Sequence, residues 1–91
     1  MSIVSHIIKV SGRVQRVFFR ASTKNSADEL NIKGFVRNEP DGSVYIEAEG
    51  EESNMNQFEA WCRQGPRNAI VEQCNVSKTE VKGFSEFTVR R

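Results

Sequence analysis

The chain is short of several residue types on which whole classes of protein depend. It has two cysteines, Cys62 and Cys74, among 91 residues, and they do not form a CxxC. A metal chaperone of ferredoxin-like fold would carry that motif in its first loop, where this chain carries arginines. Both cysteines sit in apolar patterns and read as reduced, buried thiols. A disulfide would need their Cα atoms within about 7 Å. His6 is the one histidine, and it stands in a strand-like run as a sheet-surface or internally satisfied side chain. No carboxylate, cysteine or histidine spacing has the look of a metal site. An excess of one charge is also missing: 13 basic and 12 acidic residues leave +1, so there is no global positive field to hold nucleic acid. The apolar stretch within Met1 to Ser11 is interrupted by His6 and Lys9 and has no basic segment before it. It is too short to span a membrane and lacks the layout of a signal peptide. The expectation is a cytoplasmic protein, with neither nucleic acid nor membrane as partner.

What is present is the balance of a globular protein, 37% hydrophobic and 27% charged. The length suits a single domain over residues 1–91 with one core of moderate size. Ser5 to Val10 is rich in β-branched residues and reads as a strand broken by Ser11-Gly12-Arg13. Arg20 to about Asn31 suits a helix with Ala21, Ala27 and Leu30 on its inner face. Lys33 to Asn38 and Ser43 to Glu49 read as strands joined by the Glu39-Pro40-Asp41-Gly42 turn. In the second of them Val44, Ile46 and Ala48 alternate with Tyr45, Glu47 and Glu49. Gly50 ends that strand, and Glu51-Glu52 form a solvated pair before the next helix, favoured there by the helix dipole. Ser53 or Asn54 can cap that helix, which runs to about Gln64 with Met55, Phe58, Trp61 and Cys62 on one face, and Gly65-Pro66 stops it. A fourth strand lies within Ile70 to Val81, and a short last one covers Phe84 to Arg90. The order β-α-β-β-α-β with an extra terminal strand is that of a ferredoxin-like α+β sandwich. It has one antiparallel sheet and two helices on one face. The fold hosts many functions and selects none of them.

The informative segment is Gly12-Arg13-Val14-Gln15-Arg16-Val17-Phe18-Phe19-Arg20, where a strand ends, a loop turns and a helix begins. Backbone N–H groups of such a loop, with the first turn of the helix, can converge on an anion. An arginine at the junction adds a planar fork of donors that matches phosphate oxygens. Of Phe18 and Phe19, one is expected to pack inward.

This segment resembles the acylphosphatase motif Gly-x-Val-Gln-Gly-Val-x-Phe-Arg at Gly12, Val14, Gln15, Val17, Phe19 and Arg20. A second block of that family, a Gly-hydrophobic-Val-x-Asn strand followed by an Asp-Gly turn, is matched by Gly34-Phe35-Val36-Arg37-Asn38 and Asp41-Gly42. The likeness extends over nearly the whole chain, through Ala27, Leu30, Gly50 and Gly65-Pro66. It implies hydrolysis of carboxyl phosphates to a carboxylate and inorganic phosphate, with no metal or other cofactor. It places the phosphate-binding arginine at Arg20 and the water-positioning asparagine at Asn38. The cradle of backbone amides falls on Gln15, Arg16, Val17, Phe18 and Phe19. The partners it implies are a small-molecule acyl phosphate, with inorganic phosphate or sulfate as competing anion, and a monomeric protein.

One position departs from the pattern. Arg16 stands where the family has glycine, and glycine there permits a positive φ. Either the loop keeps its shape with Arg16 turned to solvent or the pocket mouth, or the loop is displaced and phosphate binding weakens. In the second case the chain is a catalytically weak or inactive phosphate-binding module of the same fold. A further rival is a single-stranded RNA-binding domain, because Lys33-Gly34-Phe35-Val36 faintly echoes the aromatic strand of that class. Tyr45 is the sole aromatic in the neighbouring strand, and the basic surface is missing.

Overall fold

The computed structural model describes residues 2–90. Its elements follow in the order β1 (Ile3–Arg13), α1 (Phe19–Glu29), β2 (Lys33–Asn38), β3 (Val44–Glu51), α2 (Glu52–Gln64), β4 (Ile70–Thr79) and β5 (Phe87–Val89). The sheet order is β4-β1-β3-β2-β5. The pairs β1–β3, β1–β4 and β2–β3 are antiparallel, and together they make the ferredoxin-like sandwich the element order implies. β5 joins the edge of β2 in parallel, so the five-stranded sheet is mixed rather than wholly antiparallel.

Register puts the alternating apolar residues on one face. Ile8 stands opposite Ile46, Val10 opposite Val44, and Val36 opposite Ile46. These side chains form one core with Phe19 and Ala27 of α1, Met55, Phe58 and Cys62 of α2, and Phe87 of β5. Fully burying a side chain such as Phe19 or Phe58 stabilises by about 1.5–3 kcal/mol. On the same face His6 of β1 meets Glu59 of α2, with Nδ1 2.5 Å from Oε2. The histidine is thus satisfied inside the molecule rather than on the outer surface of the sheet.

Several boundaries differ from the sequence expectation. β1 does not stop at Val10. It continues to Arg13 through a bulge between Ser11 and Gly12, paired with β4 throughout. Gly12 takes φ 122° there, and a Cβ would run into the Ile70 carbonyl oxygen. β3 likewise runs past Gly50 to Glu51, because β1 begins early enough to pair with it at Ile3 and Val4. α1 begins at Phe19 and ends at Glu29, and its buried face is Phe19, Thr23 and Ala27; Ala21 is exposed. The Thr23 hydroxyl donates back to the Phe19 carbonyl at 2.7 Å, which lets a polar residue occupy the inner face. α2 begins two residues before the expected caps, with Glu51 at the N-cap. It stops where expected, at Gly65 with φ 72°. β5 is shorter than expected, because the residues before it cross the sheet. Cys74 is half-buried rather than buried, and both cysteines are free thiols.

Strands β4 and β5 lie at opposite edges of the sheet, so the chain between them must cross it. The crossing is fastened by Glu49, whose side chain lies on the face away from the helices and is 4% exposed. Its carboxylate accepts the backbone N–H groups of Lys82, Gly83 and Phe84, the latter two at 3.0 and 3.1 Å, and the Ser5 hydroxyl at 3.2 Å. Burial pushes this carboxyl up, but the three N–H donors and Ser5 outweigh it and hold it below its ordinary value of 4.5.

At the other end of the sheet, Gln15 ties the β1–α1 loop to the β2–β3 hairpin. Its side-chain N–H group donates to the carbonyls of Glu39 and Ser43, each at 2.9 Å. Asp41 shapes the same hairpin by accepting from the backbone N–H and hydroxyl of Ser43, at 2.9 and 2.5 Å.

Two substitutions test these fastenings by urea unfolding. Glu49→Gln is expected to destabilise by about 2 kcal/mol at neutral pH, since it leaves buried donors without their anion. A carboxyl held low in the folded state contributes fully above its unfolded value and loses that contribution as pH falls through the lowered one. The gap between wild type and Glu49→Gln should therefore narrow below about pH 4.5. Gln15→Leu removes two hydrogen bonds and should cost about 1–2 kcal/mol.

Candidate active site

The β1–α1 loop alternates in direction. Val14 is fully buried, Gln15 reaches the hairpin, Arg16 is exposed, Val17 is buried, Phe18 is 81% exposed and Phe19 is buried. Two non-glycine residues of this run have left-handed backbone, Arg16 at φ 61° and Phe18 at φ 60°. Each such residue costs roughly 1–2 kcal/mol. The conformation is held by the anchors between and beside them: Val14 and Val17 in the core, the Gln15 hydrogen bonds, and the Phe19 ring 5.5 Å from that of Trp61. Arg16 thus takes the positive φ that glycine adopts without strain, with its side chain outward.

α1 opens directly from this loop. Its N-cap residue is Phe18, which offers no side-chain acceptor, and its first turn contains no acidic residue. The first N–H groups of a helix have no intrahelical acceptor. Here no side chain caps them, and the positive end of the helix dipole is open to an anion.

Arg20 stands in this first turn, and its Nη1 donates to the Arg90 carbonyl at 2.8 Å. That carbonyl is placed by the end of β5, where the Arg90 N–H in turn donates to the Val36 carbonyl at 2.8 Å. One edge of the guanidinium is therefore fixed and the rest of the fork remains to face a ligand. Asn38 ends β2 opposite Val44, on the sheet face that carries the helices. Its Oδ1 is buried and accepts no hydrogen bond. A buried amide oxygen without a donor is uncommon and expensive. Arg20 and Asn38 line the same cleft of about 320 Å³ with Val14, Arg16, Phe18, Phe19, Ala21 and Val89.

The cleft thus brings together Arg16, Phe18, Phe19, Arg20 and Asn38 of the residues singled out from sequence. The side chains of Gln15 and Val17 are not among its walls. Gln15 is spent on the hairpin and Val17 on the core, so only their backbone is left for a ligand. Val89 and the Arg90 carbonyl carried no sequence signal, because they arrive through a three-residue strand paired across the sheet. Phe35, the aromatic of the RNA-like strand, is 5% exposed: the Arg90 guanidinium lies 3.8 Å from its ring centre, and the Phe84 ring 5.9 Å. It offers no open face for a base to stack on.

The lining is chemically simple: two guanidinium groups, one amide, and otherwise apolar side chains. Arginines and helix N–H groups hold an oxyanion, and the amide oxygen can accept from water. Among the described residues no three His, Cys, Asp or Glu side chains gather as metal ligands, and no helix is long and apolar enough to cross a membrane.

Comparison with known proteins identifies the family and the fold. The family model described as Acylphosphatase matches residues 6–89. An acylphosphatase of Marinobacter nauticus is 47% identical over 79 residues, which cover 87% of this chain and 84% of that protein. The structure of an acylphosphatase from Coxiella burnetii superposes with a TM-score of 0.93 at 36% identity, covering 97% of this chain and 93% of that one. The crystal structure of acylphosphatase from Bacillus subtilis gives 0.94 at 31% identity, covering 99% and 100%. With Arg20 of one motif and Asn38 of the other on one cleft, and with residues 6–89 matched by the family model, this chain belongs to the acylphosphatase family.

Proposed function

We propose that this chain hydrolyses acyl phosphates by in-line attack of water on phosphorus, with Arg20 and the loop amides of residues 15–19 holding the phosphate and Asn38 holding the water. The observation that carries the reading is the buried, unpartnered Asn38 Oδ1 in a cleft shared with Arg20.

Acyl phosphates make modest demands on an enzyme. The leaving carboxylate is a weak base and departs without protonation by an acid. Phosphoryl transfer then needs charge stabilisation on the equatorial oxygens and alignment of the nucleophile. Arg20 supplies two-pronged donation, and the open first turn of α1 adds N–H groups and dipole. Asn38 Oδ1 accepts one hydrogen bond from water and so aims its lone pair at phosphorus. As the new P–O bond forms, the bond from phosphorus to the acyl oxygen breaks, and its electron pair leaves with the carboxylate. Asn38 is no base. One water proton passes to a phosphate oxygen of the substrate and leaves with the inorganic phosphate. Inorganic phosphate and sulfate fit the same donors and compete for them. The cycle uses no metal.

The test is hydrolysis of benzoyl phosphate with a chelator present. Turnover should survive the chelator. Arg20→Ala and Asn38→Ala should each lower kcat/KM by about 10²–10³-fold, the scale of losing one charge-stabilising or positioning group. Phosphate binding should weaken in Arg20→Ala and persist in Asn38→Ala. A folded wild type that binds phosphate but does not turn over would make the chain a binding module instead.

A further inference from the structure

The acylphosphatase reading leaves one charged wall of the cleft without a task. Arg20, by its place in the first turn of α1 and its tie to the Arg90 carbonyl, belongs with the phosphate donors. Arg16 also lines the cleft but is exposed, on a left-handed backbone that turns its side chain away from the core. The floor is marked by fully buried Val14 and by Phe19, and the mouth by Phe18, Ala21 and Val89, all exposed. Arg16 shares the mouth with them. No acidic residue lines the cleft, and no carboxylate pairs with Arg16 among the described residues. A phosphate held as proposed, by Arg20 and the first turn of α1, would direct its acyl group outward, toward this mouth.

Resting on that reading of the site, we infer that Arg16 is a specificity-determining residue that selects acyl phosphates whose acyl part carries a second anionic group. The phosphate takes Arg20 and the helix terminus. The acyl chain lies between the Phe18 ring, Ala21 and Val89, and its far anion meets the Arg16 guanidinium. An unpaired guanidinium is a planar donor for carboxylate or phosphate alike. At an exposed site its contribution is modest and sensitive to salt. The selection is therefore a preference laid over a site that accepts other acyl phosphates.

The experiment compares 4-carboxybenzoyl phosphate with 4-methylbenzoyl phosphate, which differ by an anion at the end far from the reaction. The ratio of their kcat/KM values is measured in wild type, Arg16→Gln and Arg16→Lys, each checked for folding by thermal melting. Taking the ratio cancels any change in overall activity. The ratio should fall by about three- to tenfold from wild type to Arg16→Gln, mainly through KM. Arg16→Lys should keep most of it, and added salt should lower it in wild type. The matching phenacyl phosphonates, which cannot be hydrolysed, should show the same pattern in Kd. A ratio equal in wild type and Arg16→Gln, for both turnover and binding, overturns the inference. A folded wild type that hydrolyses neither substrate overturns the catalytic reading, and the phosphonate affinities then decide the role of Arg16 by themselves.

Discussion

The side-chain amide of Gln15 spans the gap between two parts of the chain that are more than twenty residues apart, and donates to the carbonyls of Glu39 and Ser43. Arg20 belongs to the segment on one side of that bridge and Asn38 to the segment on the other. Neither has a reason of its own to approach its partner. The sheet brings β1 and β2 to either side of β3, and the Gln15 bridge then sets the height of the loop against the end of β2. Because the donor is a neutral amide on a part-buried side chain, the attachment does not vary with pH across the working range. A loop that must present N–H groups to an anion is better held by hydrogen bonds to carbonyls than by ions that would compete with the ligand.

Strain and missing caps share one logic here. An N-cap serine or aspartate would satisfy the first turn of α1 and close it to ligands. The residue there is Phe18, with left-handed backbone and an exposed ring. Asn38 withholds its Oδ1 from the protein in the same way. Each feature raises the free energy of the unliganded chain, and each leaves a donor or acceptor without a partner in the protein. The stabilising burial lies nearby, in Val14, Val17 and Phe19, between and beside the strained positions. The alternation of buried and exposed residues along this loop is what allows strain and anchoring to coexist within six residues.

The parts of this arrangement that can be read from sequence are those with local signatures. The alternation Val44, Ile46, Ala48 fixes a face of β3, and Gly65-Pro66 marks the end of α2. The resemblance to two family motifs, at residues 12–20 and 34–42, is what singles out Arg20 and Asn38. What could not be read depends on contacts across the fold. Ser11-Gly12 looks like a strand break and is a bulge, because the neighbouring β4 keeps pairing beyond it. Glu49 looks like an outward residue of an alternating strand, yet it is buried under a crossing segment whose N–H groups it collects. His6 gives no hint of Glu59, 53 residues away. The hold of β5 on Arg20 through the Arg90 carbonyl is likewise invisible, since a backbone acceptor has no residue type to announce it. Arg16 is the instructive case. Its identity breaks the motif, while its backbone takes the positive φ that glycine would have allowed at lower cost.

In the proposed reaction water attacks phosphorus and the carboxylate leaves. Hydrolysis of benzoyl phosphate in ¹⁸O-labelled water tests that directly, with mass spectrometry of both products after correction for the uncatalysed reaction. The label should appear in inorganic phosphate, one atom per turnover, and benzoate should remain unlabelled. Label in benzoate would mean attack at the carbonyl carbon, and would contradict the assignment of Arg20 and Asn38 to a phosphoryl-transfer site.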